Sequence, residues 1–306
     1  MARLLRIGFV PEHFSTPLYF AAKYFSLNAT LIPFPSGTGH MVTSLRSKEI
    51  DVGIGLTEGW VAALAKAQQA HPGSGKGDFK LIGTYVDSPL CWAISTGANR
   101  EIEKVEKGCK CGVSRLGSGS HIMSYVLADQ NNWLSSDPSS SSSASTPPED
   151  PFTYVPLQTF AKLRDAVKSV EADFFMWEYF TSKRYYDNAS IRKIGEIYTP
   201  WSSWKIVAND DVLDDARELQ DVLQKINQGI RYFGEHPDEA VRYISSELDY
   251  SEDDAREWLT TVRFPEEVRI VKARTVENVV DVLRKAGVLG VEDVSVGELV
   301  AGSSLK

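Results

Sequence analysis

One run of the chain, from Cys111 to Ala128, limits the possible folds more than any other. It opens with a short apolar stretch that is typical of a buried strand, and a turn of glycine and serine follows. After the turn, apolar side chains recur at helical spacing, at Ile122, Met123, Val126 and Leu127. Ser118 and Ser120 are residue types favoured at the start of a helix. The run therefore predicts a strand, a tight turn and an amphipathic helix in immediate succession.

The turn between that strand and helix is a candidate ligand site. The backbone N–H groups of residues 118–121 are expected to point outward, because the first turn of a helix offers them no acceptors. Such groups bind anions and polar ligands, and Arg115 and His121 flank them with further donors. A capped turn without a ligand is the alternative. Two sharper motifs are excluded, since a dinucleotide fingerprint needs a glycine at position 122 and a nucleophile elbow needs Gly-x-Ser-x-Gly.

The strand–turn–helix pattern recurs along the chain. Predicted strands at 3–10, 29–34, 51–56, 152–156 and 172–177 each lead into a turn, and most of these turns lead into a predicted helix. This spacing is typical of parallel α/β sheets. Short breaks at 86–91 and 198–204 are interpreted as two crossovers between lobes. The sequence thus predicts an α/β chain with lobe I at 1–88 and 203–306 and lobe II at 89–202, and a helical pattern from 212 onward.

A serine-rich insertion interrupts the second lobe. Residues 135–151 are almost all serine, proline, aspartate and glutamate. Such a composition cannot bury a core, so we expect a disordered surface segment.

Charge and composition exclude several classes of partner. The chain has 41 acidic and 33 basic residues, a formal net charge of −8, and no long basic run, which argues against nucleic acid or an anionic membrane. No window approaches the roughly 20 apolar residues of a membrane helix. The three cysteines, Cys91, Cys109 and Cys111, fit no disulfide framework. Because the first residues are interpreted as a strand and not a signal peptide, a cytoplasmic location is expected.

The predicted turns define a set of candidate ligand-binding residues. Open parallel sheets bind ligands beyond the carboxyl ends of their strands. The candidates at those ends are His13, Ser15, Thr16, Ser36, Gly37, Thr38, Thr57, Glu58, Ser114, Arg115, Ser118, Gly119, Ser120, His121, Trp177 and Glu178. The glutamates would accept hydrogen bonds from an amine or amidine, Arg115 would supply a cation, and Trp60 and Trp177 would offer stacking faces. Helix capping for the hydroxyl residues and core packing for the tryptophans are the alternatives.

The run from Gly112 to Ala128, together with the order of elements and the two crossovers, resembles the nitrate-, sulfonate- and taurine-type substrate-binding proteins of ABC transporters. More narrowly, the chain is similar to their cytosolic fungal relatives, which share a superfamily with thiamine-pyrimidine precursor proteins. The resemblance implies a type II periplasmic-binding-protein fold, with two mixed or parallel sheets, helices on both faces and a two-strand hinge. It also implies closure of the lobes on one small ligand, held by the turns named above.

A binding function is favoured over an enzymatic one. The yeast pyrimidine-precursor synthases of that superfamily carry a cysteine-rich iron motif, of which this chain has only Cys109-Lys-Cys111. The five histidines show no metal-ligand spacing, so neither a metal nor a cofactor is expected. An enzyme of pyrimidine or thiamine-precursor metabolism that uses Glu58, Glu178 and His121 remains the alternative. An aminopyrimidine and a sulfonate or other small anion are both open as ligands, and the oligomeric state is unknown.

Overall fold

The computed structural model describes residues 4–71, 78–134, 150–213 and 216–306. The chain divides into two compact units. Unit 1 comprises Met1–Pro89, Trp201–Val279 and Glu292–Lys306, and unit 2 comprises Leu90–Pro200 and Val280–Val291. The division into lobes that move as separate bodies stays a prediction.

Unit 1 is built on a five-stranded mixed sheet. Numbered along the whole chain, its strands are β1 (Leu5–Phe9), β2 (Ala29–Pro33), β3 (Val52–Leu56), β4 (Phe79–Val86) and β10 (Trp204–Asn209). Their spatial order is β2-β1-β3-β10-β4, and β10 alone runs antiparallel to its neighbours. All six residues of β10 are buried, four of them apolar and two, Lys205 and Asn209, polar. The last strand to enter this sheet is therefore inserted next to its centre.

Helices flank this sheet and include the three predicted to follow its first strands. The helices of unit 1 are α1 (Thr16–Phe25), α2 (Thr38–Arg46), α3 (Thr57–Ala70), α7 (Asp210–Leu213), α8 (Ala216–Glu235), α9 (Pro237–Glu247), α10 (Glu252–Thr261) and α12 (Val296–Leu299). The sequence predicts a helical pattern from 212 onward, and helices do predominate there, but the pattern is interrupted. A non-helical segment follows α10, and the Val268 carbonyl in it accepts a 2.7 Å hydrogen bond from the Thr84 N–H. This hydrogen bond between β4 and a segment far along the chain is a long-range contact, which local periodicity cannot reveal.

Unit 2 repeats the strand order of unit 1. Its strands are β5 (Cys91–Gly97), β6 (Lys110–Val113), β7 (Thr153–Pro156), β8 (Phe174–Glu178) and β9 (Ile191–Tyr198), in the spatial order β7-β6-β8-β5-β9. Its helices are α4 (Gly119–Gln130), α5 (Phe160–Lys168) and α6 (Tyr179–Asp187), and α11 (Ala273–Lys285) begins in unit 1 and ends in unit 2. Again one strand, β5, is reversed and lies fourth. The two mixed sheets with their helices confirm the predicted α/β fold class.

The serine-rich insertion is described only at its end. Residues 135–149 lie outside the described residues. The prediction of disorder extends too far at 150–151, because Pro151 is buried and the Asp150 carboxylate accepts a hydrogen bond from the Tyr125 hydroxyl.

Within the described residues, no helix combines the length and the apolar character needed to cross a membrane.

Candidate functional site

In unit 1, the turns that carry the predicted residues lie at one edge of the sheet. Phe9, near the end of β1, pairs in parallel with Pro33 of β2 and with Ile54 of β3, so these strands end together. The turns before α1 and α2 and the start of α3 follow directly. The structure thus brings together the candidates of unit 1, from His13 to Glu58.

The turn before α1 is held by its own side chains. The Ser15 and Thr16 hydroxyls each donate a 2.7 Å hydrogen bond to a backbone carbonyl of the turn. His13 is fully buried, with its ring centroid 4.5 Å from that of Tyr250 and 4.4 Å from that of Trp258. This burial lowers the pKa of His13 well below its ordinary value of 6.5. The structure places the imidazole in an aromatic cluster as a neutral ring.

The turn before α2 is fastened to the end of β3. Ser36 is exposed, and Gly37 has a φ of +75°, a conformation that glycine adopts at little cost. Thr38 is buried, and its Oγ1 accepts a 2.9 Å hydrogen bond from the Leu56 N–H. A Cβ at position 55 would lie 2.7 Å from that Oγ1, so the glycine there leaves room for the hydroxyl. The turn is thereby fixed in place before any ligand binds.

At the start of α3, a fully buried carboxylate lacks one hydrogen-bond donor. The Glu58 Oε2 accepts a 3.2 Å hydrogen bond from the Trp201 indole N–H. Within the described residues, Oε1 has no partner. Burial raises the pKa of Glu58 to about 7. Next to it, the Thr57 hydroxyl donates 2.6 Å to the Ser202 carbonyl, which ties the helix start to the segment before β10. Glu58 therefore offers an acceptor, or a proton, to a ligand at this edge.

The structure adds a buried lysine that sequence reasoning missed. Lys205 is fully buried on β10, and its Nζ donates hydrogen bonds of 2.7 Å to the Thr84 and Ser202 hydroxyls. Burial lowers the pKa of Lys205 to about 7. Its one sequence signal is a charged residue at the second position of a largely apolar strand.

The two tryptophans suggested as stacking faces both pack against other aromatic rings. Trp60 is fully buried, and its ring lies edge-on to that of Phe79 at 5.8 Å. Trp177 is half-buried and stacks on Phe160, with 5.0 Å between centroids and 11° between planes. Core packing therefore accounts for Trp60, and a role of Trp177 in ligand binding stays a prediction.

In unit 2, the glycine–serine turn is folded by bonds within itself. The Ser118 hydroxyl donates 2.7 Å to the Arg115 carbonyl and does not cap the helix. The Ser120 hydroxyl accepts 3.1 Å from the Ser114 N–H. The Ser118 N–H is also used, since it donates to the Arg115 carbonyl. Among the described residues, the N–H groups of Gly119 and Ser120 have no acceptor. The prediction of unpaired N–H groups at 118–121 is therefore wrong at Ser118, and the N–H groups of the described turn that lack an acceptor are those of Gly119 and Ser120.

The histidine of this turn orients the turn itself. His121 is buried, and its Nδ1 accepts a 3.1 Å hydrogen bond from the Gly117 N–H. An Nδ1 that accepts leaves the ring hydrogen on Nε2 when the ring is neutral. The ring lies edge-on to Tyr154, 4.5 Å between centroids. The imidazole therefore supports the loop that presents the free backbone donors.

Arg115 is the free cation of this turn. Its side chain is exposed, and no hydrogen bond or ion pair joins it to another described residue. The neighbouring Leu116 is 61% exposed, so the tip of the turn projects from unit 2. An exposed guanidinium beside unpaired helix-start donors is a favourable environment for an oxyanion.

Glu178 is used as a helix cap. It is buried at the end of β8, and its Oε2 accepts a 2.6 Å hydrogen bond from the Thr181 N–H at the start of α6. Burial raises the pKa of Glu178 to about 7. Capping is the role that its contacts show, and ligand binding by Glu178 stays a prediction.

Comparisons with known proteins agree on the fold. A family model described as Ca3427-like PBP matches residues 92–197. The structure of the Candida albicans CA3427 gene product, described as defining a new family with the generic periplasmic binding protein fold, has 39% identity and a TM-score of 0.80. That match covers 100% of this chain and 96% of the Candida chain. No sequence among the curated proteins matches this chain.

Two sulfonate-binding proteins share the architecture. The alkanesulfonate-binding protein SsuA from Xanthomonas axonopodis pv. citri, bound to MOPS, has 16% identity and a TM-score of 0.74, and the match covers 98% of both chains. SsuA from Escherichia coli has 15% identity and a TM-score of 0.71, with 98% of this chain and 92% of that chain covered. At such identities the likeness shows the fold alone. Because the 39% identity to the Candida protein extends over the whole chain, this chain belongs to the CA3427-like family of proteins with the periplasmic binding protein fold.

Proposed function

We propose that this protein binds a small ligand that carries an oxyanion, and that the start of α4 in unit 2 holds the anionic group. One observation carries the proposal: the same turn carries the Gly119 and Ser120 N–H groups, which have no acceptor among the described residues, and Arg115, whose side chain is exposed. Backbone donors at a helix start and a nearby arginine recognise sulfonate, phosphonate and carboxylate groups. The sulfonate-binding proteins of the same fold support this class of ligand.

The details of the turn support an anion over a neutral ligand. A serine at the N-cap normally satisfies one of the first N–H groups of the helix. Here Ser118 donates its hydroxyl backward to the Arg115 carbonyl, which leaves the helix start open. The hydrogen bonds made by Ser120 and His121 hold the loop in this shape. The anion site is therefore preorganised, and little ordering free energy is spent on binding.

A second candidate is an aminopyrimidine, as the resemblance implies. The observation that favours it is the donor-less Oε1 of Glu58 in unit 1, which would accept a hydrogen bond from an exocyclic amine. Closure of the lobes on either ligand also stays a prediction.

Calorimetric titration with methanesulfonate, methylphosphonate and 4-aminopyrimidine tests the proposal. Arg115→Gln is expected to weaken methanesulfonate binding about 10- to 100-fold, because a hydrogen bond to a charged group contributes roughly 1.5–3 kcal/mol. Ser118→Glu should abolish binding, since a carboxylate would occupy the helix start. Arg242→Gln and Ser246→Glu, which make the same changes at exposed positions of α9, are the controls. Wild-type affinity in Arg115→Gln would move the anion site elsewhere, and binding of 4-aminopyrimidine alone would favour the second candidate.

A further inference from the structure

The Ser202 hydroxyl is a donor without an acceptor at the sheet edge of unit 1. Its oxygen accepts a hydrogen bond of 2.7 Å from the Lys205 Nζ. Within the described residues, no group accepts the hydrogen of this hydroxyl, and Ser202 retains 8% exposure. The hydroxyl is therefore polarised from behind by an ammonium group and has its own hydrogen left to donate.

The location of Ser202 is fixed by two neighbouring elements. Trp204, two residues later, pairs with Leu56 at the end of β3 and with Val86 at the end of β4. The Ser202 carbonyl accepts the 2.6 Å hydrogen bond from the Thr57 hydroxyl at the start of α3. Ser202 thus lies at the carboxyl edge of the sheet, where open α/β sheets bind ligands.

Lys205 behind it carries a charge that no carboxylate contacts. Its other partner is the Thr84 hydroxyl, which donates onward to the Ile270 carbonyl at 2.7 Å. Within the described part of the chain, no carboxylate lies within hydrogen-bonding distance of Nζ. Asp87 attracts the ammonium and Lys272 repels it, and these two form their own ion pair at 3.4 Å, so their effects on Lys205 largely offset each other.

A fully buried ammonium without a counter-ion is costly to keep charged. Burial accordingly lowers the pKa of Lys205 to about 7. An anionic group at Ser202 would supply the missing negative charge, and the ammonium form would then be favoured. Binding of an anion and uptake of a proton by Lys205 are therefore linked.

We propose that the Ser202 hydroxyl, with Lys205 behind it, is a second oxyanion-binding group, which donates a hydrogen bond to a sulfonate, phosphonate or carboxylate oxygen at the sheet edge of unit 1. Ser202 touches the ligand, and Lys205 is a positioning residue that acts through it. The inference rests on the proposed function only for the class of ligand.

The first experiment follows the Lys205 ammonium group by NMR as a function of pH, with and without methanesulfonate or methylphosphonate. The titration midpoint of Lys205 is expected to rise by at least about one pH unit when the oxyanion binds, which corresponds to at least a tenfold preference for the charged form. Lys66, exposed on α3, is the internal control and should not shift. A Lys205 midpoint that neither oxyanion moves overturns the inference.

The second experiment measures the affinity of methanesulfonate for variants between pH 7 and 9. Ser202→Ala should weaken binding about 10- to 100-fold at pH 7, because it removes a charge-assisted hydrogen bond. In the wild-type protein the affinity should fall by up to about tenfold per pH unit above neutrality. Glu58, at the same sheet edge, also has a pKa raised to about 7 by burial, and its ionisation would weaken anion binding too, so the lysine variants are made in a Glu58→Gln background. In that background Lys205→Met should abolish the remaining pH dependence, whereas Lys66→Met should preserve it. A pH dependence that survives in Glu58→Gln/Lys205→Met contradicts the role of the lysine.

The proposed function and this inference can be contradicted independently of each other. If Arg115→Gln loses binding while the Lys205 midpoint stays fixed, the proposed function stands and this inference is wrong. If the Lys205 midpoint shifts and Arg115→Gln binds as well as the wild-type protein, the oxyanion site lies in unit 1 and the proposed site in unit 2 is wrong.

Discussion

Glu58 and Glu178 both lie at helix starts, but their carboxylate oxygens have different hydrogen-bond partners. Glu178 uses its carboxylate to cap α6, whereas Glu58 keeps one buried oxygen without a donor. For both, burial raises the pKa to about 7. The cap accounts for one oxygen of Glu178, whereas Glu58 retains a buried acceptor that no described residue uses.

Glu58→Gln is expected to gain stability relative to the wild-type protein as the pH rises from 4.5 to 7. The folded pKa of about 7 exceeds the ordinary value of 4.5, so the wild-type carboxyl must ionise in a buried site over this range, whereas glutamine does not. The change in the difference of unfolding free energies should reach roughly 3 kcal/mol, at 1.36 kcal/mol per pH unit. Denaturant unfolding of both proteins at pH 5 and pH 8 measures it. A difference that is the same at the two pH values would show that Glu58 ionises normally.

For single residues, the sequence predicts the location of the candidate site residues better than the contacts that these residues make. The turn at 117–121 was located because glycine, serine and helical spacing are local signals, and its free donors at 119 and 120 follow from helix geometry. The burial of His13 among Tyr250 and Trp258 could not be predicted, because Tyr250 lies in the connection between α9 and α10 and Trp258 on α10, both far from His13 along the chain. Lys205 was missed for the same reason, since its partners Thr84 and Ser202 lie on another strand and in a connecting segment.

Among the elements, α8 depends on one glycine for its packing against α1. A Cβ at Gly229 would lie 2.2 Å from the Pro17 carbonyl oxygen and 2.8 Å from the Ala21 nitrogen, so the two helix backbones are in contact there. Gly234, on the same helix, has nothing within 4 Å of such a Cβ. The two glycines therefore form a matched pair for testing this contact.

Gly229→Ala should lower the unfolding free energy by about 1–3 kcal/mol, because backbone atoms must move apart to admit the methyl group. Gly234→Ala should be neutral or stabilising by up to about 1 kcal/mol, since alanine has the higher helix propensity. Guanidinium unfolding compares both with the wild-type protein. Equal stabilities of the two variants would mean that α1 and α8 are not held this closely.

Element types were predicted more reliably than element ends and assignments. The strands and helices of the βα units follow from local apolar spacing, and the same spacing predicts helices at 237–247 and 252–261, where α9 and α10 lie. The helical pattern from 212 onward begins with α7 and α8, and residues 214 and 215 between them lie outside the described residues. The end of α11 and the residues after it, 280–291, fall within unit 2. Whether a segment packs in unit 1 or in unit 2 depends on its tertiary contacts, which the periodicity of the sequence does not encode.

For the whole molecule, four buried ionisable groups with shifted pKa values dominate the change of stability with pH between pH 5 and about 8. From pH 5 to 6.5 the folded chain keeps protons on Glu58 and Glu178 that the unfolded chain has lost, whereas His13 binds a proton only when unfolded. The folded state thus holds one more proton, and stability falls as the pH rises. Above pH 7, Lys205 is neutral when folded and charged when unfolded, so stability rises again. Above about pH 8 the thiols of Cys91 and Cys111, whose pKa values burial raises, reduce this rise.

The free energy of unfolding is therefore expected to pass through a minimum near pH 7. Guanidinium unfolding without ligand at pH 5.5, 7 and 9 should give the lowest value at pH 7. Lys205→Met should remove the rise above neutrality, and Lys66→Met should not. A free energy that increases steadily from pH 5.5 to 9 would contradict the balance of these four groups.

The position of β10 between β3 and β4 also determines how late in synthesis the sheet of unit 1 can be completed. β10 lies between β3 and β4, yet the ribosome makes it only after the whole stretch Leu90–Pro200. All five strands of unit 2 fall within that stretch, so its sheet has every strand before the sheet of unit 1 does. Until β10 emerges, the facing edges of β3 and β4 are unpaired, and unpaired strand edges promote aggregation. The nascent chain therefore passes through a period in which its N-terminal strands are translated but incomplete, and that is when it most needs protection by chaperones.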